Sequence, residues 1–170
     1  MKYRPIEHCY WVVENKFLAG EYPGTKEPDS SQKKVDALIR TGITLFIDLT
    51  EETEGLLPYV NCLTAHKGIS HRRFPICDVS IPRSKKMTIG ILDVIDTEIS
   101  NSGMVYVHCW GGVGRTGVIV GCWLARHCGD GTAALHRLRK LWQHCPKSRT
   151  RQSPETREQE SYIIGWKEPR

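Results

Sequence analysis

Nothing in this 170-residue sequence is long and apolar enough to cross a bilayer, and residues 1–7 lack the apolar stretch of a secretory leader. There is no internal repeat, low-complexity tract or linker, so a single domain over residues 1–170 is the expected organisation. The seven cysteines, at positions 9, 62, 77, 109, 122, 128 and 145, include no C-x-x-C pair and are odd in number. That pattern fits a reduced, cytoplasmic compartment best, with one of the seven thiols used for chemistry. The seven histidines are scattered without zinc-ligand spacing, so neither a metal nor another cofactor is expected. No interleaving of aromatic and basic residues marks a nucleic-acid reader, and a monomer is the default expectation.

What is present alternates between strand and helix patterns. Trp11–Val13 and Phe17–Gly20 read as a hairpin, closed by a turn at Glu21-Tyr22-Pro23-Gly24. Asp29 or Ser30 can cap a helix carrying Val35, Leu38 and Ile39, with Gly42 as its stop. Residues 43–49 form a nearly continuous apolar run, the signature of a strand buried on both faces. A weaker strand over 72–76 leads to a Pro- and Ser-flanked loop around Asp78, the best candidate for a mobile segment. A helix from about Thr88 to Ser100 places Ile91, Ile95 and Ile99 on one stripe. A strand over 104–108 follows, then a central apolar helix through Val118–Leu124. Next comes a helix that buries Leu135, Leu138, Leu141 and Trp142. A last helix begins at Ser153-Pro154-Glu155. The expected fold is α/β, a central and mostly parallel twisted sheet flanked by helices.

Between the strand at 104–108 and the central helix lies His108-Cys109-Trp110-Gly111-Gly112-Val113-Gly114-Arg115-Thr116. A strand, a glycine-rich turn and a helix N-terminus make an anion site, because backbone N–H groups and the helix dipole converge on the turn. Gly111, Gly112 and Gly114 let the backbone approach an anion closely. The helix mouth favours a thiolate at Cys109, and Arg115 offers a fork of donors matched to phosphate oxygens. Thr116 can donate its hydroxyl to the sulfur. A C-x5-R pair in this setting suits phosphoryl transfer to sulfur, and the net charge of +5 suits an anionic substrate.

The full string H-C-x-x-G-x-x-R-T resembles the signature of the cysteine-dependent protein tyrosine phosphatase superfamily. The chain looks most like its small dual-specificity branch, from roughly residue 40 to the end. Its nearest likeness there is to the kinase-associated type, from which it departs at Thr116-Gly117. The resemblance implies a phosphate monoester hydrolase working through a phosphocysteine, with the loop from Trp110 to Arg115 holding the phosphate. It also implies a proton-donating aspartate about thirty residues before the cysteine, which points to Asp78. Asp93 and Asp96 are nearer but fall in a helix. His108 is expected to shape the loop and tune the sulfur. Gln159, on one face with Ile163 and Trp166, either positions the hydrolytic water, as the resemblance suggests, or makes a structural hydrogen bond. Cys77 and Cys122 invite a redox reading, a disulfide with an oxidised Cys109, against simple packing. Trp110 either packs beside the pocket or seals the loop to the core.

The loop carries no lysine or second arginine, so it gives no charge argument for a polyphosphorylated substrate. A phosphorylated protein, on tyrosine or on serine and threonine, is the first expectation. A small-molecule, lipid or RNA phosphate uses the same machinery. A non-catalytic phosphate-binding module usually lacks one of the three groups present here, and a rhodanese-like sulfur carrier does not pair Asp78 with an R-T ending.

Overall fold

The computed structural model describes residues 3–168. Among them, strands β1 (Cys9–Val13), β2 (Phe17–Gly20), β3 (Leu45–Asp48), β4 (Ser70–Arg73) and β5 (Val105–His108) form one sheet in the order β1-β2-β5-β3-β4. Only the β1–β2 hairpin is antiparallel; the β2–β5, β5–β3 and β3–β4 pairs are parallel. The helices are α1 (Pro28–Arg40), α2 (Lys85–Ser100), α3 (Gly114–Cys128), α4 (Gly131–Trp142) and α5 (Arg157–Ile164). This is the α/β arrangement that the alternating pattern implies.

Side chains alternate across a strand, and here both faces are covered. Tyr10, Val12, Phe17, Ala19, Leu45, Ile47, Val105 and Val107 join the larger core with α2, α3, α4 and α5. Their neighbours Cys9, Trp11, Leu18, Phe46 and Tyr106 join the smaller core with Val35 and Leu38 of α1. Full burial of one such aliphatic side chain contributes about 1.5–3 kcal/mol. The central strands β2, β3 and β5 are buried along their whole length, whereas β4 alternates exposed and half-buried residues. A polar edge strand blunts unwanted pairing.

The element boundaries differ from the sequence expectations for local reasons. Helix α1 starts one residue before Asp29, because Pro28 has its φ preset for the first helical position, and Asp29 falls in the first turn. Helix α2 starts at Lys85, capped by Ser84, whose Oγ accepts from the Met87 amide at 3.1 Å. Its apolar stripe begins a turn later than its cap, and Ile99 is only partly buried. Leu141 of α4 is likewise only partly buried. Strand β4 occupies Ser70–Arg73 rather than 72–76, and Phe74 and Ile76 continue the chain toward the site. Helix α5 does not begin at Ser153-Pro154. That peptide bond is cis, Ser153 Oγ donates to Val113 O at 2.7 Å, and Thr156 is the helix cap.

Helices α3, α4 and α5 pack through glycine. A β-carbon on Gly131 would lie 2.3 Å from Ile163 O and 2.4 Å from Ile164 O, both backbone atoms that cannot swing away. Helix propensity alone would make alanine the better residue at Gly131 by about 1 kcal/mol. Close packing predicts the opposite sign. Gly131→Ala lowers stability by about 1–3 kcal/mol, with the melting temperature falling by roughly 2–4 °C for each kcal/mol in a thermal unfolding scan. An unchanged or raised melting temperature would contradict this packing.

Candidate active site

The parallel strands deliver the site. In the sheet register Gly20 and Asp48 both lie opposite His108, so the chain leaves β2, β5 and β3 at the same level. In an open α/β sheet the crevice beyond the carboxyl ends of the strands is where ligands bind. From β5 the chain turns through residues 109–113 directly into α3 at Gly114. Gly112 has φ +73°, and a β-carbon there would lie 2.4 Å from the Gly20 carbonyl carbon, so the turn demands glycine twice over. Cys109 is 3 % exposed at the base of a cavity of about 480 Å³, whose lining includes Asp78, Trp110, Gly114 and Arg115.

Arg115, in the first turn of α3, is 1 % exposed. Its Nη1 donates to Glu54 Oε1 at 2.5 Å and to the Ile76 carbonyl at 3.0 Å, and its Nη2 donates to Glu54 Oε2 at 3.0 Å. Asp78 Oδ1 stands 2.8 Å from Nη2. Burial works against the Arg115 charge, but the Glu54 hydrogen bonds and the nearby Cys109 and Asp78 outweigh it and hold the guanidinium above its usual range. One donor, Nε, is buried and finds no partner among the described residues. A buried unpaired donor is costly, and an oxyanion in the cavity would satisfy it.

Asp78 sits on a tied loop. Val79 adopts φ +59°, a left-handed conformation that a β-branched residue enters only under constraint. Ser80 N donates to Cys77 O at 3.2 Å, and Ser80 O accepts from Gln159 Nε2 at 3.0 Å. Gln159 is fully buried, and its Oε1 accepts from the amides of Glu155 (2.9 Å) and Thr156 (3.2 Å). One amide side chain thus closes the α5 capping box and tethers the loop bearing Asp78.

The outer side of the phosphate-type loop is clasped by Glu21, Tyr22 and Lys147. Tyr22 N donates to Trp110 O at 2.9 Å, and Lys147 Nζ donates to Gly111 O and to Glu21 Oε2, both at 2.9 Å. Burial would raise the Glu21 carboxyl, but Lys34 and Lys147 override it and hold it below its usual range.

Beneath the loop, His108 is completely buried. Its Nδ1 lies 3.2 Å from Cys109 O, which can only accept, so Nδ1 carries the proton and Nε2 accepts from the Tyr59 hydroxyl at 2.6 Å. Asp48 Oδ1 is 3.9 Å from Nδ1, too far for a hydrogen bond. Burial outweighs the attraction of Asp48 and lowers His108 to about 4, so the ring is neutral near pH 7. Asp48 itself is buried, yet nearby His71 and the Thr50 hydroxyl and amide hold its carboxylate below the usual range.

The site therefore brings together Cys109, Asp78 and Arg115, with Gln159 behind the Asp78 loop. Trp110 is 57 % exposed and stands beside the pocket rather than sealing the loop to the core. The Thr116 hydroxyl is buried without a hydrogen-bond partner among the described residues, so the expected bond to the sulfur is not formed. All seven cysteines are free thiols. Cys77 is exposed, whereas Cys122 is buried in α3 and burial pushes its thiol up, which disfavours it as a nucleophile. Sequence reasoning missed Glu54, Tyr59 and the Glu21 clasp. The one available signal was the spacing Glu51-x-x-Glu54 before Gly55, a reciprocal cap that the structure forms.

The family model described as "Polymorphic toxin system, DSP-PTPase phosphatase" matches residues 22–129. Protein 067L of Invertebrate iridescent virus 3, which is named as a tyrosine phosphatase, is 30% identical over 124 residues, 71% of this chain and 47% of the viral protein. The chain thus spans about half the length of that curated relative. Among solved structures, the active form of Tk-PTP is similar with a TM-score of 0.73 and 23% identity, over 92% of this chain and 93% of the other. Kinase-associated phosphatase, solved with its catalytic cysteine replaced by serine, gives a TM-score of 0.73 and 20% identity, over 92% and 90%. At these identities the structures speak for the fold.

The neutral His108 has a consequence for stability. Its pKa falls from 6.5 in the unfolded chain to about 4 in the fold, so the unfolded state binds more protons between those values. The stabilisation is fully present above pH 6.5 and is lost as pH falls toward 4, by on the order of 3 kcal/mol at most. Unfolding midpoints in denaturant should drop progressively from pH 7 to pH 4.5. A flat profile across that window would contradict a buried neutral His108.

Proposed function

Because the chain belongs to the DSP-PTPase phosphatase family, we propose that it hydrolyses phosphate monoesters on proteins, phosphotyrosine first, through a phosphocysteine at Cys109. The observation that carries this reading is the convergence of Cys109, Arg115 and Asp78 on one cavity, with Asp78 2.8 Å from the Arg115 guanidinium. In the first step the Cys109 thiolate attacks phosphorus in line and the P–O bond to the leaving group breaks. The Asp78 carboxyl gives its proton to the departing oxygen. In the second step water attacks the phosphocysteine, Asp78 takes a proton from it, and the thiolate leaves with inorganic phosphate as product.

Arg115 is aimed rather than merely present. Glu54 fixes Nη1 and Nη2, which leaves Nε and the α3 N-terminus to hold the equatorial oxygens. A phosphate dianion seeks the same guanidinium edge as Asp78, and exchanging one for the other leaves the carboxyl beside the leaving oxygen. Gln159 acts on this step as a positioning residue, through Ser80 and the Asp78 loop. Free thiols at all seven cysteines support a reducing, cytoplasmic setting.

With an aryl phosphate of poor leaving group, Asp78→Asn should lower kcat/KM, which reports the first step, by about 10²–10⁴-fold, and a good leaving group should shrink that loss. Cys109→Ser should show no turnover with either. Activity surviving in Cys109→Ser would sink the covalent mechanism, and an Asp78→Asn deficit independent of the leaving group would remove Asp78 as the acid. Capture on an Asp78→Ala trap followed by mass analysis tests the substrate class. Retention of phosphoproteins supports this reading, and retention of phosphoinositides or nucleotides alone would overturn it.

A further inference from the structure

A second depression opens beside the phosphate pocket. It is lined by Tyr22, Gly24, Lys26, Leu56, Leu57 and Trp110 and has a volume of about 370 Å³. Tyr22, Gly24 and Trp110 also line the catalytic pocket, so the two are continuous, with the residue after the nucleophile on their shared wall. The frame of this groove is fixed. Tyr22 is 5 % exposed, its hydroxyl donates to Leu57 O at 3.1 Å, and its ring packs edge-on against Tyr59 with centroids 5.1 Å apart. A β-carbon on Gly24 would fall 2.5 Å from the Tyr22 ring and 2.9 Å from Leu57 O, so the 22–24 turn and the 56–57 segment approach as closely as glycine allows.

The apolar surface of the molecule gathers here. Six large hydrophobic residues are exposed among the described residues, and three of them, Trp110 (57 %), Leu57 (54 %) and Val79 (51 %), line these two pockets. Exposed apolar surface concentrated at a functional cleft marks a contact with a ligand. The charged lining of the catalytic pocket is mostly paired: Arg151 with Glu155, and Lys34 and Lys147 with the one carboxylate of Glu21, so three cations face two carboxylates and a single positive charge is left over.

We propose that this groove is a substrate subsite for a large apolar side chain within two residues of the phosphorylated one in a polypeptide. The inference rests on the phosphatase reading and deepens it. An extended chain advances about 3.3 Å per residue and returns to the same face every second residue. Trp110 follows Cys109 directly, so a neighbouring side chain reaches the groove while the phosphate lies over the sulfur. The groove's lining includes the charged Lys26 and Glu54, one of each sign, which suits a polypeptide better than a long acyl chain.

The test uses phosphotyrosine peptides in a serine–glycine background with a single leucine at −2, −1, +1 or +2, beside a leucine-free control and an aryl phosphate. Wild type should prefer leucine at one or more of these positions by about tenfold in kcat/KM, chiefly through KM. Leu57→Ser should erase that preference while leaving aryl phosphate turnover unchanged. No preference at any position, or a preference that survives Leu57→Ser, would overturn the subsite and leave the phosphatase reading intact. Higher kcat/KM on phosphoinositide vesicles than on every peptide would assign the groove to a lipid and overturn the proposal. Absence of aryl phosphate turnover would instead remove the phosphatase reading itself, and the subsite with it.

Discussion

The buried guanidinium of Arg115 is the constraint around which the site is built. A charge that is 1 % exposed is tolerable only when its donors are paired, and breaking such a pair typically costs about 3–5 kcal/mol. Glu54 answers two donors, and the carbonyls of Ile76 and, at 3.4 Å, Leu49 share Nη1. These partners come from the end of β3, the acidic turn after it and the segment that follows β4. One side chain on α3 thus joins three chain segments, two of which the β3–β4 pairing and the Ile76 N to Leu49 O hydrogen bond already hold side by side. The same geometry leaves Nε buried without a partner among the described residues, on a side chain that lines the cavity.

Around that centre the sheet supplies position and the helices supply support. Parallel strands put Gly20, Asp48 and His108 at one level, so the loops that follow them converge. The loop from Cys109 to Val113 is then held from outside by Tyr22 and Lys147, from below by His108 with Tyr59, and from the α5 side by Ser153 on the Val113 carbonyl. Each contact uses a backbone group or a buried polar pair, which favours preorganisation over mobility. The Asp78 loop is tied by the Arg115 contact and by Gln159, yet Asp78 itself is 55 % exposed at its side chain.

What the sequence made legible was local. Cys109 to Arg115 lie within one turn between a strand and a helix, and their chemistry follows from residue type and spacing. Strand–helix alternation gave the mostly parallel sheet, and the face of α5 shared by Gln159 and Ile163 emerged from helical spacing alone. Boundaries slipped where caps and apolar stripes are out of phase, as at Ser84 before α2 and Thr156 before α5. The missing partners were long-range. Glu54 is 61 residues from Arg115, Tyr59 is 49 from His108, and Lys147 is 126 from Glu21. No periodicity encodes such pairings, because they exist only once the strand ends converge. Thr116 differs in kind: it lies only seven residues from Cys109, yet its hydroxyl is buried without a partner among the described residues instead of bonding the sulfur.

The central claim is that Cys109 becomes covalently phosphorylated. The most direct measurement is rapid acid quench of Asp78→Asn with an aryl phosphate of good leaving group, followed by mass spectrometry of the digested protein. The first step then needs little acid, and the second is slowed by the lost base, so the intermediate accumulates. The account predicts one added phosphoryl group on the peptide containing Cys109, appearing within a single turnover and decaying with release of phosphate. Product formation with no adduct, or an adduct on any other residue, would contradict it.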